Sequence, residues 1–111
     1  PVRAESKGIG NSRTLAKDVT TEEEAGKVLF NLAESVGRRL RNAGMKAGML
    51  SVEIRYHTFR DNSHQKQLFR STNNDMEIYD IAMELFREFW NGEPIRLLGL
   101  RSWCMKMNRS R

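Results

Sequence analysis

Ser51-Val52-Glu53-Ile54-Arg55-Tyr56-His57 alternates polar and apolar side chains. That period of two marks a strand with one buried face and one exposed face, the latter carrying Glu53, Arg55 and His57. Asp61-Asn62-Ser63 then reads as a turn into a second, more polar strand from Gln65 to Phe69, so the two strands predict a hairpin. On either side of this hairpin the period changes from two to about 3.6. Residues 21–44 place Ala25, Val28, Leu29, Leu32, Val36 and Leu40 on one helical face. Thr20 or Thr21 suits the cap, with Glu23 or Glu24 three positions on, and Gly44 ends the helix. Residues 74–91 repeat the scheme, with Asn74 as cap, Glu77 three later, and Tyr79, Ala82, Met83, Phe86, Phe89 and Trp90 on one face. Lys7 to Leu15 is a weak first strand and Ile95 to Met107 a last one.

The resulting order is βαββαβ, an α+β domain. Two helices with one apolar face each can bury both against the same side of a four-stranded sheet and leave the other side to solvent. A length of 111 residues suits one such domain. Residues 7–107 are taken as the domain, 1–6 as the remnant of a linker and 108–111 as a tail. The chain begins with Pro1 rather than Met and is read as a segment of a longer protein. No apolar run approaches the roughly 18 residues of a membrane span. The single cysteine, Cys104, excludes an intramolecular disulfide and suits a reducing compartment, so a cytoplasmic location is expected.

The formal net charge is +5. The two helical segments hold nine acids against five bases, which leaves +9 on the strands, turns and tails. That asymmetry predicts a basic sheet side and a polyanionic partner, because Lys and Arg recognise phosphates and release their counterions. Arg96 and Arg101 on the last strand are candidate phosphate ligands through their forked donors. They are five positions apart, so a regular strand would turn them to opposite faces unless a bulge intervenes. Lys7, Gly8, Ser12 and Arg13 enter the first strand, where glycine permits close approach of the backbone. Arg55, His57, His64 and Lys66 are expected to face solvent from the hairpin.

Two histidines without a matching Cys or carboxylate set do not make a metal site. Cys104 has no base in view and reads as a small strand hydrophobe, while Glu22-Glu23-Glu24 reads as dipole partners in a first helical turn. No catalytic residue and no cofactor are assigned to the chain.

Lys7-Gly8-Ile9-Gly10-Asn11-Ser12 with Thr14-Leu15-Ala16-Lys17-Asp18-Val19-Thr20, then Arg38-Arg39-Leu40-Arg41 with Gly44-Met45-Lys46-Ala47, stand in the order in which they resemble segments of the little finger domain of Y-family (translesion) DNA polymerases. Val52-Glu53-Ile54-Arg55-Tyr56 with Phe59-Arg60 is similar to the family's KLRYSDFR, and Pro94-Ile95-Arg96-Leu97-Leu98-Gly99-Leu100 to its PIRLLGV. Ser63-His64-Gln65-Lys66-Gln67-Leu68 departs from a segment usually richer in arginine, which implies weaker grip there.

The resemblance implies an antiparallel sheet of reversed ferredoxin-like strand order that grips the primer–template duplex across its major groove. It contributes no chemistry, since Mg²⁺ and the reacting carboxylates belong to the palm of the parent polymerase. Implied partners are double-stranded DNA, the palm, fingers and thumb, and a sliding clamp, with no membrane; the setting would be the bacterial cytoplasm, at the nucleoid. Competing readings are an RNA-binding sheet domain, whose stacking-aromatic motif the chain lacks, and a protein-interaction module with a basic face.

Overall fold

The computed structural model describes residues 4–107, with side chains from Gly8 to Cys104 except that of Ala16. The elements run β1 (Ala4–Val19), α1 (Glu22–Asn42), β2 (Ala47–Tyr56), β3 (Asp61–Thr72), α2 (Asp75–Phe89) and β4 (Ile95–Met107). The four strands form one sheet in the order β1-β4-β2-β3 with every neighbouring pair antiparallel. This is the reversed ferredoxin-like α+β arrangement expected. β1 starts at Ala4, so residues 4–6 of the supposed linker belong to the strand. Residues 1–3 and the 108–111 tail lie outside the described residues.

Both helices are held by the signals their sequences carry. Thr21 Oγ1 accepts from the Glu24 N–H at 3.1 Å, and the Thr20 N–H donates to Glu24 Oε1 at 3.2 Å. Two orphan donors at the start of α1 are thereby satisfied. Its end closes on Gly44, at φ +68°, with Met45 N–H donating to the Leu40 carbonyl and Gly44 N–H to that of Arg41. The Met45 bond requires the left-handed backbone at Gly44 that glycine adopts without strain. Asn74 Oδ1 accepts from the Glu77 N–H at 3.0 Å to start α2.

The helices cover one face only, α1 against β1 and β4, α2 against β2 and β3. Leu29, Val36 and Leu40 of α1 and Ile78, Leu85 and Phe86 of α2 meet Leu50, Val52, Ile54, Leu98 and Leu100 from the strands, all at most 1% exposed. Thr72 and Ser102 are the buried polar residues among those described, and the Ser102 hydroxyl donates to the Ile9 carbonyl at 2.9 Å. No helix of the described residues is long and apolar enough to cross a membrane.

The strands are irregular at three places. Between the pairs Arg55↔Leu97 and Tyr56↔Ile95, β4 carries one extra residue, Arg96, so the bulge that would reconcile the spacing of Arg96 and Arg101 is present. β1 carries residues 15–18 against a single residue of β4, and β3 carries residues 68–71 against Gly48 of β2. The hairpin turn lies at Tyr56–Arg60, and not at Asp61-Asn62-Ser63, which already belongs to β3.

Candidate nucleic-acid interface

The register fixes which side chains share the open face, because residues opposite one another point to the same side. Four rows cross the sheet. Gly8, Trp103, Met49 and Gln67 form the first and Gly10, Arg101, Ser51 and Gln65 the second. Ser12, Gly99, Glu53 and Ser63 form the third, and Thr14, Leu97, Arg55 and Asp61 the last.

The middle two rows make a trough of about 350 Å³ whose floor is almost wholly glycine and serine. A Cβ on Gly10 would lie 3.1 Å from the Arg101 Cα, and one on Gly99 3.2 Å from Glu53 Oε1. These two glycines keep the floor low where a linear ligand would otherwise meet side chains. Arg101 and Trp103 stand on one side and Glu53 on the other. At the outer edge, Arg39 Nη1 donates to the Gly10 carbonyl at 3.0 Å and to Asn11 Oδ1 at 2.9 Å, while Asn11 Nδ2 donates to Ser35 Oγ. α1 thus anchors the strand that supplies Gly8, Gly10 and Ser12.

Of the residues singled out in the sequence, Gly8, Ser12, Arg55 and Arg101 fall on this face. Arg101 is exposed and makes no ion pair among the described residues. Arg55 is bound to Asp61, Nε to Oδ1 at 2.7 Å and Nη2 to Oδ2 at 3.3 Å. That hydrogen bond raises the arginine pKa and lowers the aspartate's, so both remain charged and mutually satisfied. Arg13 is exposed on β1 opposite buried Leu98, one step out of phase with Ser12 and hence on the helix side of the edge. Lys7 stands in register with Cys104, and its side chain lies outside the described residues. His57 occupies the turn, its N–H donating to the Pro94 carbonyl at 3.1 Å.

His64 and Lys66 do not join the open face. Lys66 Nζ contacts Glu84 Oε1 of α2 at 2.6 Å, and His64 stacks on Phe89 with ring centroids 4.5 Å apart, 3.8 Å from Glu88. Hydrogen bonding to Lys66 lowers the Glu84 pKa and raises the lysine's. Both side chains are committed to the helix layer because His64 pairs with buried Val52 and Lys66 with buried Leu50.

The expectation of a basic sheet face also needs correction. The sixteen positions of the four rows carry Arg55, Arg101, Glu53 and Asp61 as their charged residues, two of each sign. Residues 1–7 and 105–111 hold five bases and one acid, so the two terminal segments account for +4 of the total charge. Arg96 sits on its bulge at the rim, its guanidinium carbon 4.9 Å from the Phe59 ring centroid. Among the described residues no group of three His, Cys, Asp or Glu gathers to hold a metal.

With both helices on one face of the sheet and a shallow polar trough across the other, the chain is an α+β domain whose candidate site is an open surface rather than an enclosed cavity. The chain belongs to the impB/mucB/samB family C-terminal domain, whose model matches residues 6–103, the little finger of Y-family DNA polymerases. It is 42% identical over 99 residues to the DNA polymerase IV of Clostridium acetobutylicum, covering 89% of this chain and 25% of that protein. To the DNA polymerase IV of Oceanobacillus iheyensis it is 34% identical over 104 residues, 94% of this chain and 25% of that protein. The chain thus spans about a quarter of these relatives' length.

Among solved structures, it is similar to the little finger domain of PolIV in complex with the β-clamp processivity factor, with TM-score 0.76, 20% identity and 95% of each chain covered. It is also similar to part of the Dbh DNA polymerase in an insertion ternary complex, with TM-score 0.79 and 14% identity over 92% of this chain and 29% of that one. At these identities the structural likeness concerns the fold.

Sequence reasoning missed Gly10, Gly99, Glu53 and Phe59. The glycines carried a signal, since glycine inside a strand marks close backbone approach. Glu53 was visible as an exposed strand residue. Phe59 gave no sign of its backbone.

Proposed function

We propose that the open face grips the sugar-phosphate backbone of a primer–template duplex across its major groove, as a non-catalytic domain of a Y-family DNA polymerase. The observation that carries this reading is the glycine and serine floor beside exposed Arg101, in a chain of this family. A low floor lets a phosphodiester approach the strands, and a guanidinium at its side offers two parallel donors to phosphate oxygens. Arg96 at the rim supplies a second cation; Gly8 and Ser12 lie on the β1 edge of the open face, with Arg13 on the helix side of that edge and Lys7 just before them in sequence. His57, Arg55, His64 and Lys66 are secondary, because three of them already have partners within the fold. Contacts of this kind position a duplex without reading its bases, which suits a polymerase that must copy every sequence. The Mg²⁺-dependent chemistry, with palm, fingers and thumb, is assigned to the rest of the parent protein, working at the nucleoid of a bacterial cell.

The test is fluorescence anisotropy of the chain with a labelled primer–template duplex across a salt series, for wild type, Arg101→Gln and Arg96→Glu, repeated with a scrambled duplex. The expected result is weak, sequence-indifferent binding that falls with log salt by about 0.9 for each phosphate neutralised, with both variants weaker. A folded wild type that does not associate at low salt, or that prefers single-stranded RNA or an acidic protein, refutes the grip.

A second surface favours a protein partner. The bulge at residues 68–71 of β3 turns Phe69 fully outward, beside a depression lined by Leu68, Thr72 and Ile81. An aromatic so exposed on an edge strand suits a hydrophobic contact. The solved complex of a similar domain with a β-clamp supports the sliding clamp as its partner. Phe69→Ser should abolish binding to the clamp while leaving the DNA titration unchanged; retained clamp binding refutes it.

A further inference from the structure

We propose that Phe59 is a positioning residue for Arg96, holding its guanidinium flat at the rim of the open face so that its outer donors meet a phosphate. The inference rests on the grip reading above and adds a residue that touches no DNA in it. Three observations converge on the pair. First, Tyr56 to Arg60 form a hairpin turn closed by Phe59 N–H to the Tyr56 carbonyl and Tyr56 N–H to the Arg60 carbonyl, each 2.8 Å. In this turn the fourth residue takes the left-handed conformation, a place that glycine or asparagine fills by preference. Phe59 fills it at φ +67°, the one residue other than glycine with positive φ among those described. A bulky side chain there is strained, and the strain is not repaid by burial, since Phe59 is 67% exposed.

Second, the exposed ring lies under Arg96, Cζ to centroid 4.9 Å, within cation–π range. Third, Arg96 Nε is buried with no hydrogen-bond partner, and no carboxylate of the described residues pairs with this guanidinium. Arg96 is also the extra residue of the β4 bulge, so no regular strand neighbour fixes its direction. The aromatic face is therefore what orients it. A guanidinium stacked on a ring keeps its in-plane donors pointing away from the ring edge, available for a forked contact.

The fold and the function make opposite demands at this position, and that opposition supplies the test. Phe59→Gly relieves the backbone and removes the platform; Phe59→Leu keeps apolar bulk and removes the aromatic face. Thermal melts and primer–template anisotropy at low salt are measured for wild type, both variants, Arg96→Gln and the double variant Phe59→Gly with Arg96→Gln. Phe59→Gly is expected to melt at or above the wild-type temperature yet bind DNA about two- to five-fold more weakly. Phe59→Leu should weaken binding similarly, and the double variant should bind no more weakly than Arg96→Gln alone, because the two residues act as one. The ring-current shift of the Arg96 Nε–H resonance should disappear in both Phe59 variants.

Wild-type affinity in Phe59→Gly alongside weakened Arg96→Gln overturns the positioning role and leaves the grip intact. Additive losses in the double variant overturn it as well. Wild-type affinity in Arg96→Gln removes Arg96 from the interface and the proposal with it, and absence of DNA binding by the wild type refutes the grip itself.

Discussion

Neutralising Glu53 should tighten DNA binding, by an amount that shrinks as salt is added. Glu53 stands in the third row of the open face between Gly99 and Ser63, and has no ion-pair partner among the described residues. Its Oε1 would be 3.2 Å from a Cβ on Gly99, so it overhangs the floor of the trough. For a phosphate on that floor at an assumed separation of roughly 7 Å from this carboxylate, Coulomb's law gives about 0.6 kcal/mol of repulsion in water and about twice that at half the dielectric. At 10 mM salt, where the Debye length is about 30 Å, most of this survives, and Glu53→Gln should bind roughly two- to five-fold more tightly. At physiological ionic strength screening over about 8 Å removes more than half, and the gain should fall below about two-fold. Glu53→Lys doubles the charge change and should extend the same trend. The assay is the anisotropy titration at both salt concentrations, with melting curves to establish that the variants fold. Unchanged affinity at low salt would put the duplex elsewhere than the trough; weaker binding would mean that the carboxylate accepts a hydrogen bond from the DNA.

Gly37→Ala should destabilise the fold although alanine is favoured by about 1 kcal/mol inside a helix. A Cβ at Gly37 would collide with Asp75 Oδ1, which Arg41 holds at 2.7 Å across the helix pair. Displacing this carboxylate should cost about 1–2 kcal/mol net, read as a lower melting temperature; a higher one would show that Asp75 swings away freely. Gly10→Ala should weaken DNA binding more than it lowers stability, because its Cβ would press on the Arg101 backbone at 3.1 Å and raise the trough floor; equal DNA affinity would remove Gly10 from the interface. Asp61 and Glu84 have lowered pKa values, from hydrogen bonds to Arg55 and Lys66. Their contribution is complete above the unfolded carboxylate range near about 4 and is lost as pH falls through the lower folded values. Melts from neutral pH into acid should therefore show a decline that Lys66→Ala makes shallower, and an unaltered decline would discount the Lys66–Glu84 pair.

The helices were legible because their ends are written in local chemistry. Thr21 and Asn74 cap, Gly44 turns, and the apolar period between them is unbroken. β2 was legible from its alternation, whereas β4 was legible only as a strand candidate, because apolar side chains fall on both of its faces: Leu98 and Leu100 are buried, while Leu97 and Trp103 share the open face. The facing of β3 was not, because Asp61 to Gln67 is polar at every position, and no alternation says which parity meets α2. Only the register with β2 assigns His64 and Lys66 to the helix side, and register is a long-range property. The turn was misplaced for a related reason. Asp61-Asn62-Ser63 has turn composition, whereas the residue that takes the left-handed conformation is Phe59, which propensity places last among candidates. Where local preference is overridden so strongly, a side-chain role is the natural place to look.

The location of the charge decides what kind of grip is expected. A chain with +5 overall would displace many counterions if the surplus faced the duplex, yet the open-face rows balance two cations with two anions. Of these cations Arg55 is neutralised locally by Asp61, which leaves Arg101, with Arg96 at the rim. Most of the surplus belongs to the terminal segments, where β1 begins and β4 ends. A grip by the trough and its rim alone should therefore neutralise about two or three phosphates, giving a salt slope of about −2 to −3. Arg101→Gln and Arg96→Gln should each reduce it by about 0.9. A slope several units steeper that survives both substitutions would mean that the terminal segments bind the duplex and the trough only orients it.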